Sequence, residues 1–194
     1  MAFHTVLSAS IQGLHVEMVH VEADVSNGLP VFHMVGYLSS EVKEASERVR
    51  TAIRNAGIQI PARKVVVNLA PATVRKKGAS FDLPIALAVM AALGEIEGEK
   101  LERTLVIGEL GLDGRVQEVP GILPMLLEAR KAGCRACILP IRNAPEGALV
   151  DGIRILGVRH LKEACDYLNG EVALKEEVRQ DEKMDGGRAE LSVD

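Results

Sequence analysis

The chain has 194 residues, of which 47% are apolar and only 3% aromatic, and its formal net charge is −4. That length suffices for one well-buried domain with an appendage, and a core so poor in aromatics must be built from Val, Leu, Ile and Ala. Few aromatics and near-balanced charge argue against a general single-strand-binding platform; no apolar run approaches the ~20 residues of a spanning helix and Met1–Thr5 lacks a signal pattern, so a cytoplasmic protein with no membrane partner is expected.

Along the chain, Val6 to Ile11 and Val16 to Val25 alternate apolar and polar residues, and Ser26-Asn27-Gly28 turns the chain into a third strand, Val31 to Val35. Together these predict an antiparallel meander. Ser39 or Ser40 then caps a helix with Val42, Ala45, Val49, Ala52 and Ile53 on one stripe and Gly57 at its exit. On its other side Glu44–Arg48 and Glu47–Arg50 read as a solvated, ion-paired face. Val65-Val66-Val67 forms a buried strand leading to the basic turn Arg75-Lys76-Lys77-Gly78-Ala79-Ser80.

The next segment, Asp82 to Gly94, is apolar on every face, so it must be a central buried helix with Ser80 at its mouth and Asp82 as a capping residue. Thr104 to Leu110 and Gly114 to Val119 make a hairpin around Gly111-Leu112-Asp113. A helix over 121–132, strands over 136–139 and 153–158 and a helix over 161–168 follow. Such an order predicts a layered α/β domain with a mixed, partly antiparallel sheet over residues 1–169. Residues 170–194 hold eight acidic and four basic side chains, hence the whole net charge, with a Gly186-Gly187 pair; they read as an acidic linker.

Chemistry is sparse. Cys134-Arg135-Ala136-Cys137 has half-site spacing, but with Cys165 as the third cysteine no second pair exists, so buried small residues are the better reading. No His-x-x-x-His, paired-cysteine set or carboxylate loop supports a metal site, and no Gly-x-x-x-x-Gly-Lys-Ser/Thr loop supports ATP hydrolysis. The basic residues Arg63, Lys64, Arg75, Lys76 and Lys77 flank the Val65 to Val74 segment as a candidate nucleic-acid patch, against the plainer reading of solvated turn charge.

Several runs carry a resemblance: Asp24-Val25-Ser26-Asn27-Gly28-Leu29-Pro30, Val42-Lys43-Glu44 with Arg48-Val49-Arg50, Val67 to Ala72, Gly78 with Phe81 to Ala86, Gly108-Glu109-Leu110 and Asp113 to Val116. Over residues 4–168 the chain resembles the N-terminal domain of magnesium-chelatase-like AAA+ proteins of the ComM and YifB type. That domain is similar in fold to the Lon proteolytic domain, a ribosomal-protein-S5-domain-2-like layered fold. One departure is Gly36-Tyr37-Leu38-Ser39, where the family usually reads Gly-Leu-Pro-Asp.

The resemblance implies an accessory domain of a ring-forming ATPase, a homohexamer, working on DNA in branch migration and natural transformation. ATP and Mg would belong to an AAA+ domain after the linker, and the partners would be that domain, neighbouring subunits and DNA; this chain itself needs no cofactor. Two alternatives follow from the same resemblance: a Lon-like serine peptidase using Ser80, which sits where Lon has its nucleophile, and an accessory to metal chelation. Against the peptidase, the positions matching Lon's lysine base offer Leu123 and Met125, with no lysine from Gly121 to Arg130, and the five histidines are scattered. We therefore expect no catalytic residue here.

Overall fold

The computed structural model describes residues 2–180. One eight-stranded sheet organises them. Its strands are β1 (Ala2–Gln12), β2 (His15–Ser26), β3 (Phe32–Val35), β4 (Lys64–Ala70), β5 (Thr104–Val106), β8 (Ala136–Pro140), β9 (Arg154–Val158) and β10 (Glu176–Glu177), in the order β10-β9-β8-β5-β1-β2-β4-β3. A separate hairpin joins β6 (Glu109–Leu110) to β7 (Val116–Gln117).

The alternating half was anticipated, with one difference. β1 and β2 pair antiparallel from Ala2↔Val25 to Gln12↔His15, and β2 pairs antiparallel with β4. However, β3 pairs parallel with β4 at the sheet edge and does not extend the hairpin as a meander strand. The reason is the intervening α1 (Ser40–Lys43) and α2 (Ala45–Asn55), which make the β3-to-β4 link a crossover, and a crossover returns the chain parallel. Ser39 supplies the expected cap, its Oγ accepting from Val42 N at 3.4 Å. The predicted stripe of Ala45, Val49, Ala52 and Ile53 is buried.

The other half reads differently. β5, β8 and β9 run parallel, and β8 is buried at every residue because helices cover both faces. On one face lie α2, α3 (Asp82–Ala92) and α6 (Leu161–Leu168); on the other lie α4 (Ile122–Lys131) and α5 (Ala144–Gly147). α3 is the central buried helix: every residue but Ala91 is inside.

The stretch assigned to a linker starts on the sheet. Glu176 and Glu177 pair with Leu156 and Ile155 of β9, Leu174 packs on the core, and Arg179 donates to the Leu149 carbonyl at 2.6 Å. The boundary at residue 169 therefore falls before the last strand; residues 181–194 lie outside the described residues. A strand of only Glu176 and Glu177 offers no apolar alternation by which a strand could be read.

No helix among the described residues is long and apolar enough to cross a membrane.

Candidate functional site

The start of α3 is where several of the runs that carry the resemblance meet. Asp82, expected as a cap, makes no capping bond; it is fully buried and receives three hydrogen bonds. Arg48 donates from Nε at 2.8 Å and from an Nη at 3.0 Å, and Leu110 N donates at 3.1 Å. A bidentate guanidinium with a backbone amide is a strong arrangement for a buried carboxylate. Burial pushes the Asp82 carboxyl above its ordinary value, while Arg48 and the Leu110 amide pull it back down. The Asp82 hydrogen bond in turn raises Arg48 further, so its guanidinium stays charged. Glu44, the partner read from spacing, is only a second neighbour of Arg48 at 3.8 Å.

Gly108 locks the same corner. Its N–H donates to the Ser80 carbonyl at 3.0 Å, and its carbonyl accepts from Leu83 N at 3.0 Å. A Cβ there would stand 3.0 Å from Val116 and 3.2 Å from Leu83, so any larger residue would press on both side chains. Ser80–Leu83, Arg48 and Gly108–Leu110, distant in sequence, thus build one joint.

Two residues before Asp82, Ser80 is half-buried on the wall of a cleft of about 240 Å³. Ser10, Lys77 and Glu109 bring polar groups to it; Ile11, Val119 and Met125 bring apolar ones. Met125 projects from α4, one of the two positions where a Lon-type lysine would stand. None of the five histidines lines the cleft. Lys77 is exposed and lines the same cleft. The ionisable groups on the lining of the Ser80 cleft are thus Lys77 and Glu109, with no histidine and no lysine at the Lon-type position on α4.

The candidate nucleic-acid residues do not form one patch. Arg63 and Lys64 lie at the start of β4, and Arg75 and Lys77 lie beyond its end, so the seven residues of β4 hold them about 20 Å apart. Lys76 is removed from any surface: it is fully buried, donates to the Pro71 carbonyl and has its ammonium pushed down by burial. Its backbone is the cause, because Lys76 bridges in parallel to Leu38 (Ser39 N to Lys76 O, 2.9 Å) and so turns the side chain inward.

The cysteines are buried thiols, with burial raising Cys134 and Cys137 and pushing Cys165 up to about 12. No group of three or more His, Cys, Asp or Glu among the described residues could hold a metal ion. Among the buried polar residues that sequence reading missed is Asn143, which exchanges two hydrogen bonds with the Val119 backbone, at 3.0 and 2.9 Å.

Residues 21–143 match the family described as subunit ChlI of Mg-chelatase. The chain belongs to this family, and to its ComM and YifB type. It is 39% identical to the uncharacterised protein YifB of Escherichia coli over 175 residues, 90% of this chain and 34% of YifB. It is 37% identical to the competence protein ComM of Haemophilus influenzae over 174 residues, 90% of this chain and 34% of ComM. More distantly, it is 27% identical to Lon protease of Mycolicibacterium smegmatis over 169 residues, 82% of this chain and 21% of Lon. The chain therefore spans about a third of the length of its nearer relatives. The ChlI match ends at Asn143 and contains the whole Asp82 joint.

Proposed function

We propose that this chain is a non-catalytic accessory domain of a magnesium-chelatase-like AAA+ ATPase that processes DNA. The observation that carries the reading is the pairing at the start of α3. The family runs converge on a saturated structural joint, whereas the neighbouring serine shares its cleft with Met125, where Lon would have a lysine, and with no histidine. Such a corner fixes a rigid body to be carried by a motor; it does not turn over a substrate. Similarity to ComM, a competence protein, supports DNA as the object of the work. ATP and Mg would be held by the motor, since this chain has no phosphate-cradling loop of its own. The domain's partners would then be its own AAA+ module and neighbouring subunits of a homohexameric ring.

The test joins the chain to an AAA+ module of the same family and follows ATP-dependent branch migration of a labelled four-way junction. Migration should require residues 1–169 and should survive Ser80→Ala. Peptide hydrolysis that Ser80→Ala abolishes would replace this reading with the peptidase.

A further inference from the structure

The parallel strands β8 and β9 end side by side, at Pro140 and Val158, and the chain leaves both at the same edge of the sheet. Arg142 follows the first and Arg159 the second. The β6–β7 hairpin docks against this edge: Val116 N donates to Arg159 O at 2.9 Å, and Leu161 N donates to Gly114 O at 2.8 Å. That docking delivers Arg115. The three guanidiniums, from three separate segments, line one open cleft of about 450 Å³ with Gln117 and Glu118 on its wall and Val116 and Ile141 beneath. All three arginines are exposed.

Three carboxylates accompany them without saturating them. Asp113 contacts Arg115 through Nε at 3.2 Å, while its other oxygen accepts from the Arg115 backbone at 3.0 Å. Glu163 stands 3.8 Å from one Nη of Arg159 and is itself engaged by the Arg159 backbone N–H at 2.9 Å. Glu118 makes no ion pair within the described residues, and neither does Arg142. Guanidiniums carry five donors each, so most of the donors around this cleft are available, and exposed ion pairs of this kind contribute little. The open ends of parallel strands are also where α/β sheets take their ligands.

We propose that this cleft contacts the phosphodiester backbone of DNA, and that it does so in place of the divided turns at the two ends of β4. The inference rests on the DNA-processing reading above. A polymer fits better than a small phosphate, because the arginines are spread over an open surface with no glycine-rich cradle of backbone donors. No aromatic side chain lines the cleft to stack on bases, and exposed guanidiniums suit contacts to phosphate.

The experiment titrates fluorescein-labelled duplex and four-way-junction DNA with the 194-residue chain at low salt, reading anisotropy. Removing all three arginines (Arg115→Gln, Arg142→Gln, Arg159→Gln) should weaken binding by about tenfold or more and lower the salt slope by about 2 to 3, as expected for three lost phosphate contacts. Arg142→Gln alone should weaken binding severalfold, and because the residue is exposed its melting curve should match the parent's. Arg63→Gln with Lys64→Gln, and Arg75→Gln with Lys77→Gln, should change binding by less than about twofold. If the triple variant binds as the parent does, the cleft is excluded while the DNA reading stands. If the parent binds no DNA at low salt, the DNA reading falls and takes the cleft with it. Competition by tripolyphosphate at matched phosphate concentration would overturn the proposal in favour of a small-anion site.

Discussion

Asp82 and Ser80 are two residues apart and have opposite surroundings. Asp82 is fully buried, with a bidentate guanidinium and a backbone amide on its carboxylate. Ser80 is half-exposed on a cleft whose facing helix presents Met125. Position at a helix mouth therefore does not assign a role. What distinguishes the two is whether partners from other segments complete the group's hydrogen bonding. Around Asp82 they do so fully, and the result is a scaffold; around Ser80 the lining brings no histidine and no lysine at the Lon-type position, on which the proposed non-catalytic role rests.

The largest effect should come from breaking the saturated side. Asp82→Ala leaves the Leu110 amide without its acceptor and Arg48 with only the Glu41 carbonyl at 2.8 Å and the more distant Glu44. Removing one partner of a buried pair costs about 3 kcal/mol when, as here, the surviving arginine can still reach water. Thermal unfolding should show this as a clear drop in Tm, and a double-mutant cycle with Arg48→Ala should show strong coupling. A loss near 1 kcal/mol with no coupling would reduce Asp82 to a helix-start residue.

Truncation after Asn169 comes next. It removes the β10 pairing, the Leu174 contact and the Arg179 bond to Leu149, for an expected cost of about 1 to 2 kcal/mol in denaturant unfolding. Unchanged stability would restore the linker reading for residues 170–180.

Lys76→Met probes the turn from inside. Burial holds the Lys76 ammonium below its ordinary value of 10.5, so the unfolded chain binds that proton more tightly than the folded one. The stability Lys76 contributes is thus present above pH 10.5 and lost as pH falls through its depressed folded value. Lys76→Met should therefore gain about 1 kcal/mol on the parent at neutral pH, with the advantage fading as pH nears 10.5. A variant that weakens DNA binding without this pH signature would return Lys76 to the surface.

These tests also mark what the sequence could reveal. Strands β1, β2 and β4, the stripe of α2 and the buried α3 were legible because period and burial coincide there. The parallel placement of β3 was not, since alternation specifies a face and says nothing of the neighbour. Arg48 looked like half of a helical i,i+4 pair, and only the packing of α2 on α3 reveals Asp82, 34 residues away, as its main partner. Lys76 shows the limit of reading charge as surface. The arginine cleft was equally hidden, because Arg115, Arg142 and Arg159 share no run of sequence and meet only where parallel strands end.

The smallest expected effect is the most decisive one. Ser80→Ala should change stability by less than about 0.5 kcal/mol, as a half-exposed hydroxyl away from any network does. The direct measurement is exposure of the 194-residue chain to a serine-reactive fluorophosphonate, followed by intact-mass analysis. A cleft lined by Met125, with no histidine and no Lon-type lysine, predicts no adduct on Ser80 after prolonged incubation. A stoichiometric adduct that disappears in Ser80→Ala would contradict the account and make the cleft a catalytic site.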